Sequence, residues 1–245
     1  MNVEPKLERC LAFINCQLRP ASASARPSLA ANPWRAVTIS RQTGAGAHEV
    51  AEALAECLQA LGKSSAHPWT VFDRNLVEKV LEDHHLPARL ARFMPEDRVS
   101  QIDDVLEDIC GLHPLSGTLV DKTTETILRL AELGNVILIG RGATAVTSKL
   151  NYIFHVRLVG SLEKRLEYVQ KNRRIGKAAA LKFIRLEDRG RQRYVKKYFR
   201  EDTDNPLLYH LVINTDLIGY NLAARMIAAT MLSSRSGSSF NDLCK

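Results

Sequence analysis

The stretch Ala36–Ala51, AVTISRQTGAGAHEVA, decides the fold. Five small or β-branched residues are followed by the polar Arg41-Gln42-Thr43, then by Gly44-Ala45-Gly46, and then by the apolar spacing of a helix. Two glycines allow a sharp turn that brings backbone N–H groups close to an anion, and a helix starting near Ala47 aims its positive end at the same point. Strand, glycine turn and helix start together predict a phosphate-holding turn, and hence a nucleotide as ligand. Arg41, Gln42 and His48 add donors at its rim. The general motif for such loops, GxxxxGK[ST], is only partly present, because Arg41 stands at the first glycine and Ala47 and His48 follow Gly46.

From this segment outward, short apolar runs alternate with longer amphipathic ones. Strands are expected at 36–40, 69–72, 135–140, 152–158 and 210–215. Helical patterns fall at about 46–62, 74–84, 96–111, 117–134, 161–174, 178–200 and 217–232. Such alternation predicts a parallel sheet covered on both faces, wound by right-handed crossovers. Residues 1–35 read as a separate N-terminal piece: Leu7, Leu11, Ile14 and Leu18 at helical spacing, then the linker RPASASARPSLAANP. That helix is expected to dock on the main body or on a second copy of the chain. Residues 36–232 form the main domain, and 233–245 are small and polar, read as a frayed tail.

The 245 residues carry 34 Lys and Arg against 27 Asp and Glu, a formal charge of +7, which points to an anionic partner without naming it. Hydrophobic residues make up 45%, which excludes wholesale disorder. No run nears the roughly 20 apolar residues that cross a bilayer, and the first ten residues lack the pattern of a signal peptide; a cytoplasmic protein with no membrane partner is expected. Cys10, Cys16, Cys57, Cys110 and Cys244 are scattered without metal-ligand spacing, so free thiols and no metal-ligating residues are read.

Four further blocks stand out. FDR at 72–74 offers Asp73 as a helix cap and Arg74 as a phosphate ligand. VILIGRGA at 136–143 is a buried strand ending in an arginine flanked by glycines. IRLEDRGRQRYVKKYF at 184–199 lies in a region, Arg173 to Arg200, with eleven Lys or Arg and only Glu187 and Asp188 as acids. YHLVINTDL at 209–217 reads as a last strand with Asp216 capping the following helix. A solvated helix face usually mixes signs to gain i,i+4 pairs, so the basic run is expected to meet an anion.

With these blocks in view, residues 36–232 resemble the cytidylate kinase-like family of P-loop nucleoside monophosphate kinases. Ser40-Arg41-Gln42-Thr43-Gly44-Ala45-Gly46-Ala47 resembles the family's SR, polar residue and GSGG. FDR resembles its YDR, Gly140-Arg141-Gly142 its GRD or GRG turn, Asp188, Arg191 and Tyr194 its D-x-x-R-x-x-Y helix, and YHLVINT its YDLVINT. The resemblance implies a P-loop NTPase fold, a three-layer αβα sandwich on a five-stranded parallel sheet with a helical lid at about 173–203. It implies ATP with Mg²⁺ as cofactors, held by Arg41, Gln42, Thr43, Gly44, Ala45, Gly46, Ala47 and His48. It places a nucleoside monophosphate against Asp73, Arg74, Arg141, Arg185 and Arg189, gives Arg141, Arg191 and Asp188 catalytic parts, and puts Asn214 and Thr215 near the adenine. On one helix, Arg185, Arg189 and Arg193 share a face while Arg191 points elsewhere, so only some of these arginines can turn inward; the motif favours Arg191.

Two roles in that scheme lack their usual residues, since Ala47 and His48 stand where a P-loop has its lysine and its magnesium-binding hydroxyl. A nucleotide-binding regulatory protein without efficient turnover is therefore the alternative reading. A nucleic-acid binder using the helix 173–200 is the third. Few aromatics accompany that helix, namely Tyr168, Phe183, Tyr194, Tyr198 and Phe199, and no recognised nucleic-acid motif is present, so nucleotides rather than nucleic acid are the expected partners.

Overall fold

A computed structural model describes residues 34–61, 68–73 and 119–233. The N-terminal helix and linker, the helical patterns at 74–84 and 96–111, Arg74 and the tail lie outside the described residues.

Five strands form one sheet: β1 (Ala36–Arg41), β2 (Thr70–Phe72), β3 (Val136–Ile139), β4 (Ile153–Val159) and β5 (Leu211–Asn214). Their order is β2-β3-β1-β4-β5 and every pair is parallel. The helices are α1 (Ala47–Leu61), α2 (Leu119–Leu133), α3 (Ala143–Val146), α4 (Leu162–Arg173), α5 (Lys177–Phe199) and α6 (Tyr220–Ser233). All five expected strands are present within two residues of their expected ends. The one-turn α3 and the 3₁₀ turn Pro206–Leu208 carry too few residues to show a period, so pattern reading does not find them.

Alternation along each strand divides the core in two. Val37 and Ile39, Ile137 and Ile139, and Phe154, Val156 and Leu158 face α1 and α6, where Val50, Leu54, Ala224 and Ile227 close the layer. Ala36, Val136, Leu138 and Ile153 face the opposite way, against Leu128 and Ala131 of α2, Val146 of α3 and Val195 and Phe199 of α5. A sheet buried on both faces explains why the strands read as continuous apolar runs. Each fully buried aliphatic side chain, Leu54 or Leu128 among them, stabilises the fold by about 1.5–3 kcal/mol.

The second face also holds polar groups. Thr38 Oγ1 lies 2.8 Å from His155 Nδ1 and 3.0 Å from Thr144 Oγ1, tying β4 and β1 to the start of α3. Burial and the neighbouring His210 push the His155 pKa down to about 4, so its ring is neutral at physiological pH. Arg157, buried on the same face, donates to Ser40 Oγ at 2.9 Å and to Asp204 Oδ1 at 2.5 Å.

In this strand order the chain leaves β1 toward β3 and β2, and leaves β3 toward β4 and β5. A parallel sheet binds ligands where its connections diverge in this way, beyond the carboxyl ends of the strands. The turns after β1, β3, β4 and β5 all lie at that edge.

Candidate active site

The turn after β1 is built by its own hydrogen bonds. Gln42 N–H donates to Leu158 O at 3.0 Å, extending the ladder by one residue, and Ala45 N–H returns to Gln42 O at 3.2 Å. Gly44 and Gly46 have φ of +87° and +72°. A Cβ on Gly44 would come within 2.6 Å of the Arg165 carbonyl oxygen, and one on Gly46 within 2.2 Å of the Tyr220 ring, so both positions need glycine for conformation and for space. Val50 N–H is the first to close on Gly46 O, which leaves the N–H groups of Ala47, His48 and Glu49 without intrahelical acceptors at the positive end of α1.

Thr43 is where α5 meets this turn. Its N–H and its hydroxyl both donate to Asp188 Oδ1, at 2.8 and 2.7 Å. Asp188 also accepts from Arg191 Nη2 at 2.6 Å and, through Oδ2, from Arg165 Nη1 at 2.7 Å. Arg191 Nη2 touches the Thr43 hydroxyl as well, and Arg165 Nε donates to Gly160 O at 3.0 Å. Burial alone would push the Asp188 pKa up, but the hydrogen bonds from Thr43, Arg191 and Arg165 outweigh it and hold the carboxyl below the usual carboxylate range. A carboxylate of the protein thus sits on a donor of the glycine turn, with two guanidinium groups beside it.

The turn after β3 has a different construction. Gly140, Arg141 and Gly142 are consecutive left-handed residues, with φ of +80°, +53° and +71°. Arg41 packs on Gly140, and the Phe199 ring lies where a Cβ of Gly142 would fall, at 2.7 Å. For arginine this conformation costs on the order of 1–2 kcal/mol. It aims Arg141 into a cavity of about 380 Å³ that Arg41, Arg191, Tyr194, Thr144 and Tyr209 also line. Burial raises the Tyr194 pKa and the Arg141 charge opposes that rise, which places the guanidinium and the phenol together. Three cationic side chains converge there, with Glu187 as the acid among the lining residues.

A second cavity, of about 290 Å³, opens beside Gly44. Tyr168, Lys164 and Lys171 of α4 line it together with Thr215, Asp216 and Tyr220 from the segment after β5. Tyr168 donates to Glu49 Oε1 at 2.5 Å; burial and that hydrogen bond push the phenol far above its ordinary range. Asp216 accepts from Ser161 N–H at 2.7 Å, and its interaction with the Ser161 hydroxyl is the main cause of its lowered pKa.

The structure brings together Arg41, Thr43, Gly44, Arg141, Asp188 and Arg191. It gives Gln42 a structural contact, since its side-chain oxygen accepts from Gly160 N–H at 3.1 Å. Ala45 and Ala47 are buried in the core, where their backbones rather than their side chains face the turn. His48 Nε2 lies 3.8 Å from Asp73 Oδ2; neither residue lines either cavity. Arg185 and Arg189, expected at the substrate, are exposed and line neither cavity. The phase of α5 is the reason: Ile184 and Val195 are among its buried residues, and that phase turns Asp188 and Arg191 inward and Arg185 and Arg189 out. Arg165 and Tyr220 take positions at the site that no sequence motif marks. A position one turn beyond the Ser161 helix cap, at the carboxyl edge of the sheet, was the signal for Arg165.

A central strand of a five-stranded parallel sheet, a glycine turn beyond it and arginines converging on the same edge define the class: an α/β protein consistent with the P-loop NTPase-like fold. The chain belongs to the cytidylate kinase-like family, whose sequence profile matches residues 36–217. Membership supports nucleotide binding and kinase chemistry in general terms. Among solved structures, the chain is similar to an uncharacterized protein from Eubacterium ventriosum, with 17% identity and a TM-score of 0.55 over 82% of this chain and 99% of that one. That likeness shows the fold alone. No curated protein matches. Among the described residues, no helix is long and apolar enough to cross a membrane.

Proposed function

We propose that this protein transfers the γ-phosphoryl group of ATP, with Mg²⁺, to a nucleoside monophosphate of the CMP or dCMP type in the cytoplasm. The observation that carries the reading is the pair of cavities flanking the glycine turn, one with Gly44 in its wall and the other with Arg41, Arg141 and Arg191. Phosphoryl transfer asks a protein to position two phosphates in line and to neutralise charge spread over the equatorial oxygens. The N–H groups of Gly44, Gly46, Ala47 and His48 suit the donor phosphates, and the base beyond them suits the cavity walled by Tyr168 and Tyr220. Arg141 and Arg41 suit the acceptor phosphate.

The loop has no cation at the usual lysine position, since Ala47 is buried and apolar. Arg165 and Arg191, held on Thr43 and Asp188, are positioned to provide that charge from α4 and α5. Magnesium would neutralise the donor phosphates. A carboxylate that fits such a cation is Glu49, whose Oε2 is buried without a hydrogen-bond partner among the described residues.

The test is purified protein with ATP, Mg²⁺ and a panel of monophosphates. A diphosphate product formed from a pyrimidine monophosphate supports the reading. Tight ATP binding with no product from any acceptor overturns it in favour of a nucleotide-binding regulator, a role that the Asp188 carboxylate on Thr43 would also suit.

A further inference from the structure

Ten of the eleven Lys and Arg residues from Arg173 to Arg200 are exposed; Arg191 is the exception. The cleft therefore leaves most of this charge unused. At 3.6 residues per turn, Lys182, Arg185, Arg189, Arg193, Lys196 and Arg200 fall within an arc of about 80° on α5 and its C-cap. With a rise of 1.5 Å per residue, the row runs straight for about 27 Å. It lies opposite the face that buries Ala180, Ile184, Val195 and Phe199. None of the six side chains makes an ion pair or hydrogen bond with a described residue, and both acids of the helix, Glu187 and Asp188, are turned toward Arg191. Like charges at i,i+3 and i,i+4 destabilise a helix, so the row is a standing cost that a linear polyanion would relieve.

We infer that this row is a docking surface for the phosphate backbone of duplex nucleic acid, bound without regard to sequence. A row one side chain wide and about 27 Å long presents six cations to a duplex surface that carries one negative charge per about 1.7 Å of its axis. No aromatic residue shares the arc. Tyr194, Val195 and Phe199 pack inward, and single-strand binders rely on aromatic platforms, so a duplex backbone fits better than splayed bases. A lipid surface fits less well, because a membrane-binding helix needs a free apolar face and that of α5 is spent on the sheet. The inference is independent of nucleotide turnover, since the row lines neither cavity.

The experiment is fluorescence anisotropy of a labelled 24-base-pair DNA duplex with the full chain, at salt from 50 to 200 mM. The expected dissociation constant is about 1–100 μM, and a plot of log affinity against log salt has a slope of about −4 to −5 for four to six phosphate contacts. Lys182→Gln/Arg193→Gln/Lys196→Gln flattens that slope by about 2–3, with an unchanged thermal midpoint as the check on folding. Lys182→Arg/Lys196→Arg keeps the wild-type slope. ATP leaves duplex binding unchanged. The inference is overturned by a slope that survives the triple neutralisation, by single strands binding more tightly than duplex, or by binding to phosphatidylserine vesicles in the absence of any duplex binding.

Discussion

Two glycine turns leave neighbouring strands at the same edge of the sheet, and they are prepared in opposite ways. The turn after β1 has its Thr43 donors already taken by Asp188. The turn after β3 holds three left-handed residues in a row and directs Arg141 into an open cavity. An anion arriving at the first must compete with a carboxylate of the protein, whereas an anion arriving at the second finds a cation already placed. Under the proposed transfer the two turns would have different work: the first would set how tightly a donor is held, and the second whether an acceptor is positioned to react.

The sharpest way to break that division is to remove the cation of the second turn. Arg141→Ala is expected to lower kcat/KM for the monophosphate by about 10²–10³-fold, as loss of one preorganised charge contact does, while ATP affinity stays within about threefold. Equal losses in both would merge the two turns into one site. Acid provides a second probe, because Thr38, His155 and Thr144 brace β1 to the helix that follows the second turn. The folded-state pKa of His155, about 4, lies below its ordinary 6.5, so the unfolded chain binds the extra proton between those values. Stability is therefore complete above pH 6.5 and falls by about 3 kcal/mol as pH drops to 4. Thermal unfolding across that range, with His155→Gln losing the dependence, is the measurement.

Glycine replacement separates the turns by what blocks a Cβ. At Gly44 the obstacle is the Arg165 backbone, which cannot step aside, whereas at Gly140 it is the tip of the Arg41 side chain. Gly44→Ala is expected to cost about 2–3 kcal/mol of stability in denaturant melts and Gly140→Ala about 1 kcal/mol; the reverse order would contradict the packing. The smallest effect is at Asp188. Removing its charge frees Thr43 for a ligand, so Asp188→Asn should tighten pyrophosphate binding about 3–10-fold by calorimetry. The same variant loses a stabilisation that operates above the ordinary carboxylate pKa of 3.8 and disappears as pH falls through the lowered folded value.

Much of this fold is legible in the chain because its signals are local. Five buried strands announce themselves as apolar runs, and Gly44-Ala45-Gly46 follows the first of them directly. Arg141 is legible for the same reason, as an arginine between two glycines at a strand end. The inward choice among the α5 arginines is not local: it depends on how Ile184 and Val195 seat the helix against the sheet, so Arg185 and Arg189 were expected at a site that they face away from. Arg165 is further from view, because its partners Thr43 and Asp188 lie 122 and 23 residues away along the chain, and no spacing rule joins three elements.

The central claim is that the turn after β3 governs transfer and the turn after β1 governs donor binding. Wild type and Arg141→Ala, assayed side by side for diphosphate formation and for ATP affinity, test it most directly. The account predicts product from the wild type, product lost by at least about 10²-fold in the variant, and ATP held with unchanged strength by both. Undiminished product formation in Arg141→Ala would contradict it.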